Sequence, residues 1–381
     1  MEKLRWLEIE NYRGIRAARL ENFGDINVIV GKNNTGKSTI LESIYLNITA
    51  QDLDLIGNDP IFLIFKRRGV SLHVPLPYRK SLEIDDIFHY LGYIFYQENI
   101  DEQVKFNSNL LEYGLKVIKD NIPGDMLEFV THYLTKRRFP KVEIGELLFI
   151  VSDNIQRPLM VAFEVILGEE VKYDIRFITH RLYLDGFTLR RQKRKNAIMV
   201  DSHWLFHYHR WEEPPIKTAL MRLERYVKID KQELIEFLSE QLGDNILTVE
   251  PRLFDIYVVT EDDRFIPFSL LGDGTKISLV YFYTLSLKNS YILFEEPENH
   301  LHPKLMGRCI DLMLKSAKIN QIFITTHSLE FLQKTLERAK DADVNLRVFS
   351  ITNLKNGLLE YESYDLDEAY AAVNRIGVDL R

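Results

Sequence analysis

The apolar positions change period several times along this chain of 381 residues, and the changes divide it. From residue 4, LRWLEIENYR alternates apolar and polar residues, the period of a half-buried strand. INVIV at 26–30 is instead a continuous β-branched run, the pattern of a strand covered on both faces. GKNNTGKSTILESIYLNI then reads as a glycine turn opening an apolar-faced helix. Between about 83 and 138, apolar residues recur three to four apart in DDIFHYLGYIFYQ, NLLEYGLKVIKDN and DMLEFVTHYLTKRR, which predicts helices divided by Pro123-Gly124. Over 142–210 the β-branched and aromatic runs LMVAFEVIL, VKYDIRFITHRLYL and AIMVDSHWLFHYH predict strands, closed by Pro214-Pro215. DKQELIEFLSEQLG predicts a helix with a capping box at Asp230 and Glu233, a stripe at Leu234, Leu238 and Leu242, and a stop at Gly243.

Downstream, ILTVEPRL and DIYVVTED read as strands. A helix is expected over 276–287, a buried strand at YILF, a helix from Pro303 and another buried strand at IFIT. LRVFSIT and LLEYESY are joined at Asn356-Gly357, a hairpin signal. The alternation predicts an α/β fold. The length exceeds what one core covers, so two lobes or a large insertion are expected.

Composition adds exclusions. A net charge of -7 argues against a broadly basic nucleic-acid coat and leaves room only for a local patch. Cys309 is the single cysteine, which excludes a disulfide framework and a cysteine zinc site and fits a reducing cytoplasm. Charges interrupt the first residues before any signal-like apolar core forms. No uninterrupted apolar run reaches about 18 residues, so no membrane span or membrane partner is expected.

Three stretches carry chemistry. Gly31-x4-Gly36-Lys37-Ser38 matches the phosphate-binding loop, with a buried strand before it and a helix after. Its glycines let backbone N–H groups turn inward, its lysine neutralises phosphate oxygens, and its serine hydroxyl ligates Mg²⁺. Gly31, Asn33, Asn34, Thr35, Gly36, Lys37, Ser38 and Thr39 are therefore the candidate ATP-binding residues. YILFEEPENHLHP ends an apolar strand in two acids. In P-loop ATPases the first such acid supports Mg²⁺ and the second polarises the attacking water. That makes Ser38 and Glu295 the candidate metal residues and Glu296 a candidate catalytic residue. Glu295 stands where aspartate is usual, one methylene longer. His327, after IFITT, can hydrogen-bond a γ-phosphate. No Asn/Thr-Lys-x-Asp segment for guanine reading is found.

A second glycine turn, LLGDGTKIS at 270–278, opens a helix. It too is suited to an anion. Taken together and in order, NYRGI, GKNNTGKST, LGDGTK, FEEPENHLHP, ITTHS and GVDLR resemble the ABC-type P-loop ATPase heads, and among them the OLD-like (overcoming-lysogenization-defect) branch related to RecF and SMC heads. The resemblance covers residues 1–50 and 245–381; the stretch between matches only in its order of helices, strands and helices. It implies an ABC-type head built from those two segments, with 51–244 as an insertion, mainly helical at 83–138, β-rich at 142–210 and helical at 215–243. It implies that Gly272, Asp273, Gly274, Thr275 and Lys276 act as the signature, completing the ATP of a partner subunit in a homodimer. Gly272 replaces the usual serine and Asp273 the first glycine. Backbone N–H groups at Gly274 and Thr275 and the Lys276 cation take over the contact, while Asp273 must turn away, for instance to cap the helix. Neither Gln51 nor Gln97 is assignable as a glutamine-loop residue.

The OLD-like nucleases carry a C-terminal Toprim domain, and too few residues follow His327 for one here. Neither a cysteine zinc hook nor long coiled coils are present. The expected activity is Mg²⁺-dependent ATP hydrolysis driving a dimerisation switch in DNA repair or anti-phage defence, with nucleic acid or a separate effector nuclease as partner. A transporter ATPase subunit and a nucleotide-gated module with negligible hydrolysis are the alternatives. RRQKRK at 190–195 reads as a solvated hairpin tip, with nucleic-acid backbone contact as the alternative. His203, His207 and His209 fall on one face of a predicted strand; an aromatic-rich buried strand is favoured over a metal site.

Overall fold

The computed structural model describes residues 1–50, 52–67, 97, 99, 102–117, 160–177, 181–185, 188–189, 193–206, 215–242, 246–252 and 255–376. In chain order the strands are β1 (Trp6–Tyr12), β2 (Ile15–Glu21), β3 (Ile26–Gly31), β4 (Val104–Ser108), β5 (Glu112–Val117), β6 (Met160–Leu167), β7 (Glu170–Phe177), β8 (Arg181–Asp185), β9 (Thr188–Leu189), β10 (Ala197–Asp201), β11 (Ile246–Arg252), β12 (Asp255–Thr260), β13 (Phe265–Pro267), β14 (Tyr291–Glu295), β15 (Gln321–Thr326), β16 (Leu346–Lys355) and β17 (Leu358–Asp365). The helices are α1 (Lys37–Thr49), α2 (Pro60–Arg67), α3 (Ser202–Leu205), α4 (Pro215–Leu223), α5 (Lys231–Leu242), α6 (Asp273–Leu285), α7 (Pro303–Ala317), α8 (Leu329–Ala339) and α9 (Leu366–Tyr370).

The fold is α/β. Its centre is a parallel run in the order β10-β14-β15-β3-β16. The same sheet continues through β17, β2, β1, β4, β5, β6, β7, β8 and β9, antiparallel except where β17 meets β2. β11, β12 and β13 form a small separate sheet. The parallel strands are apolar throughout because both faces are covered. Along β3, Ile26, Val28 and Val30 enter the core that holds α6, α7 and α8, while Ile29 enters the core that holds α1. β14 and β15 do the same: Phe294 and Ile324 face one way, Leu293 and Phe323 the other. Each such fully buried side chain contributes about 1.5–3 kcal/mol. Truncating one, as in Phe323→Ala, costs about 3–5 kcal/mol.

Two buried amides tie the chain's start to this centre. Gln321 accepts from the Leu4 amide at 2.8 Å and donates to the carbonyls of Leu4 and Gly24 at 2.8 and 2.9 Å. Asn27 bonds Gly24 in both directions, at 2.7 and 3.1 Å, so neither polar group is left unpaired. The β16–β17 hairpin turns at Asn356 and Gly357, both at positive φ (52° and 76°), the two-residue geometry that Asn-Gly favours.

Some expectations change. Residues 104–117, inside the stretch whose spacing predicts helix, form β4 and β5. Val104 and Phe106, then Tyr113 and Leu115, are buried in alternation, the period of a strand. What decides between the two periods comes from elsewhere in the chain. The buried Asn47 of α1 donates to the carbonyls of Phe106 and Leu111, both at 3.1 Å, and pins the hairpin. AIMVDSHWLFHYH is not one strand. It stops at Asp201, whose Oδ1 accepts from the Trp204 amide at 3.0 Å and starts α3. His203 is therefore an exposed helical residue, off any strand face shared with His207 and His209, which lie outside the described residues. The first two residues of the 276–287 helix prediction are preceded by an extra turn, since α6 begins at Asp273. The segments 85–96, 125–138 and Gly243 lie outside the described residues. Of the basic run, Lys193, Arg194 and Lys195 are described. The Lys193 amide donates to Asp52 at 3.0 Å and Arg194 bridges to Leu53, so this part is laid against 52–55.

Among the described residues, no helix is long and apolar enough to cross a membrane.

Candidate functional site

The three chemical stretches converge at the C-terminal edge of β3, β14 and β15, where open parallel sheets present their ligand crevice. The phosphate loop leaves β3 at Gly31, turns at Asn34 (φ 65°) and enters α1 through Gly36 (φ 96°). A Cβ on Gly31 sits 2.8 Å from the Ile351 carbonyl oxygen, too close for any side chain. Thr35 Oγ1 donates to the Lys32 carbonyl at 2.8 Å, and Lys32, Asn33 and Asn34 are exposed at the apex. Lys37 curls back over the loop and donates to the carbonyls of Gly31 and Lys32, both at 2.8 Å. Burial lowers its pKa, opposed by the charges of Glu296 and Glu298. Thr39 is in the first turn of α1, where its carbonyl accepts from Ser43 Oγ at 2.7 Å.

Ser38 Oγ donates to Glu295 Oε1, so the two residues expected to hold the metal are in contact. The other oxygen of Glu295 faces the guanidinium of Arg67. This donor set fits Mg²⁺, which takes oxygen ligands and one or two carboxylates beside substrate phosphates. Glu296, the next residue, has a left-handed backbone (φ 47°), an uncommon conformation for a side chain of this size. Its amide donates to the Thr325 carbonyl at 2.9 Å, and Ser202 Oγ donates to its carbonyl at 2.9 Å. The turn aims Glu296 Oε1 at His327 Nδ1, 2.9 Å away, while Asn299 Nδ2 donates to Oε2 at 3.1 Å. Tyr281 of α6 supports the same loop by donating to the Pro297 carbonyl at 3.2 Å.

Sequence reasoning missed Glu298. It is buried, accepts from Thr326 Oγ1 at 2.5 Å, and lies 3.9 Å from His327 Nδ1. Its Oε2 has no hydrogen-bond partner, and burial raises its pKa. It sits two residues past Glu296 inside the quoted motif, and a third acid so near an apolar strand was the available signal.

Two family models match, together taking in most of the chain. Residues 3–121 match the AAA ATPase domain, and residues 170–333 match the AAA domain described as putative AbiEii toxin, Type IV TA system. The DNA replication and repair protein RecF of Lactococcus lactis is 23% identical over 94% of this chain and 99% of its own length. Protein MJECL10 of Methanocaldococcus jannaschii is 52% identical over 46 residues, which span 12% of this chain and 21% of that relative. Both matching models are AAA-type domains, and these likenesses support a P-loop ATPase of the ABC type. A solved structure, the SmcHead bound to the C-winged helix domain of ScpA, is 12% identical to it, with a TM-score of 0.46 over 97% of this chain and 99% of that one.

In this fold the second glycine turn stands apart from the first. Gly272 precedes α6 with ordinary extended backbone (φ −64°, ψ 151°) and no side-chain cap. Asp273 lies inside the helix's first turn, where it meets Lys276 at 3.3 Å instead of capping. Thr275 accepts from Ser278 Oγ through its carbonyl at 2.9 Å. Gly274 is packed: a Cβ there falls 2.8 Å from the His300 carbonyl oxygen. At Gly272 a Cβ meets nothing within 4 Å.

Proposed function

We propose that this chain binds ATP at the loop of 31–39 and hydrolyses it. The observation that carries the reading is the contact of Ser38 Oγ with Glu295 Oε1 at the mouth of a loop that already holds its lysine inward. On binding, Lys37 exchanges the Gly31 and Lys32 carbonyls for phosphate oxygens, and the amides at the start of α1 face the same charge. Ser38 and Glu295 would hold Mg²⁺, which when bound neutralises phosphate charge. Glu296 takes a proton from the attacking water, and His327, fixed by Glu296, hydrogen-bonds the terminal phosphate.

The finer reading is that the head is of the OLD-like branch, and that two copies meet so that residues 272–276 of each complete the other's ATP. Closing and opening of that dimer is the output. The replication and repair role that RecF's name carries, and the toxin-system description of one matching family, support work on DNA or in defence beside a separate effector, in the cytoplasm. Steady-state phosphate release from the purified chain, with Mg²⁺ or with EDTA and with or without DNA, tests this. Metal-dependent turnover is expected, and DNA is expected to change its rate. No turnover in any condition despite tight ATP binding would favour a nucleotide-gated module instead.

A further inference from the structure

The metal acid is attached to something the family motifs do not contain. Arg67 is the last residue of α2; its side chain is 2% exposed, and its guanidinium meets three carboxylates from three elements. Nη2 pairs with Glu295, Nε with Asp201 Oδ2 at 2.6 Å, and Nη1 with Glu42 Oε1 at 3.4 Å. Nη1 also lies 3.2 Å from the Met199 sulfur. Glu295 and Asp201 are register partners at the ends of adjacent parallel strands. Glu42 is one turn past Ser38 on α1 and fully buried, with its other oxygen taken by Arg13 at 2.5 Å and Tyr12 at 3.2 Å. Removing the guanidinium leaves Glu295 and Asp201 side by side without their shared cation, and Glu42 held by Arg13 and Tyr12 alone.

We infer that Arg67 is the positioning residue of the metal acid, seated by Glu42 and Asp201. The planar fork of arginine can serve several carboxylates at fixed angles, which a lysine ammonium cannot. It divides the two oxygens of Glu295: one is held from behind, and the other is presented to Ser38. The extra methylene of glutamate over aspartate fits this arrangement, because the longer side chain lies between the serine and the buried arginine. Arg67 touches neither nucleotide nor water in this role. It sets the direction from which Glu295 meets the cation. The inference rests on the ATP reading given above.

The test is binding of a fluorescent ATP analogue in EDTA and across a Mg²⁺ titration, for the wild type, Arg67→Lys and Asp201→Asn. Asparagine keeps the α3 cap at 201 through Oδ1 but replaces the oxygen that accepts from Arg67 with an NH2 group, removing both the charge and that hydrogen bond. Expected is unchanged affinity in EDTA, and a Mg²⁺ concentration for half-maximal binding raised about tenfold in Arg67→Lys and several-fold in Asp201→Asn. A melting curve shows whether Arg67→Lys folds; if it does not, Asp201→Asn decides alone. Mg²⁺ dependence in the folded variants equal to the wild type's would overturn the positioning role and leave ATP binding standing. Loss of affinity in EDTA equal to the loss in Mg²⁺ would overturn it too, since the defect would not pass through the metal acid. A wild type that binds no analogue in either condition would overturn both readings.

Discussion

At 31–36 the chain folds a glycine turn around its own lysine, and at 272–274 it folds another whose first glycine leaves open space where a side chain would be. In the first, the lysine, the serine and the first glycine have work inside the chain. Lys37 holds two carbonyls, Ser38 holds Glu295, and Gly31 is glycine because the Ile351 carbonyl leaves no room. In the second, the contacts needed for folding end at Gly274 against His300. Asp273 and Lys276 satisfy each other, and Leu270 just before them is 76% exposed. A turn shaped by its own surroundings and a turn left open by them call for different explanations. On the proposed reading, the first is half of a site that is already built. The second makes sense as a surface that meets its ligand from outside.

The comparison is sharpest where the built half is damaged. Glu296→Gln keeps the Asn299 and His327 geometry but cannot take a proton from water, so hydrolysis should fall about 10²-fold or more with ATP binding retained. Rapid-quench measurement of a single turnover checks this. A normal burst in the variant would move the general base elsewhere.

A smaller effect separates the two glycines of the open turn. Gly274→Ala forces a Cβ onto a carbonyl and should cost about 1–3 kcal/mol, read as a lower melting temperature. Gly272→Ser should change stability by no more than a few tenths of a kcal/mol, because serine is a good N-cap at this backbone geometry. Equal losses at both positions would mean that the first glycine is packed after all.

The smallest effect is at Glu298. Burial raises its pKa above the ordinary value of 4.5, so the folded state favours the protonated acid. Its stabilising contribution is full below that ordinary value and is lost as pH rises through the raised one. Glu298→Gln cannot ionise and lacks this loss. The melting temperature of the variant relative to the wild type should therefore climb as pH rises through the raised value. A gap that is flat across pH would show that Glu298 ionises freely in the folded chain.

Much of the site was legible because its parts are local. The phosphate loop is nine consecutive residues between a strand and a helix, and Glu295, Glu296 and His327 each follow an apolar strand directly. The structure brings together Ser38 and Glu295, both expected at the metal, and sets Glu296 against His327, a contact the motifs did not suggest. The unread part is held by distance. Arg67 reaches Asp201 across 134 positions, and nothing near residue 67 marks it as buried. One signal was present: AIMVD has the same shape as YILFE, an apolar run ending in an acid, and the two strands lie side by side. In the fold, three-to-four spacing over 104–117 gave way to strands because Asn47, far away on α1, satisfies the hairpin's carbonyls. Short apolar runs fit both periods, and tertiary contacts choose between them.

The claim that the open turn serves another subunit's nucleotide has one direct test. Lys37→Ala loses its hold on ATP. Gly272→Asp folds, since aspartate caps helices well, but sets a negative charge where a phosphate would approach. Each protein alone should be inactive. In a mixed dimer, one site carries both defects and the other joins an intact phosphate loop to an intact turn. Phosphate release should therefore reappear on mixing and rise to a maximum near equal amounts of the two, with light scattering showing the dimer only when ATP is present. If Gly272→Asp alone hydrolyses ATP at the wild-type rate, the second turn is no more than the start of α6, and the two-subunit site is wrong.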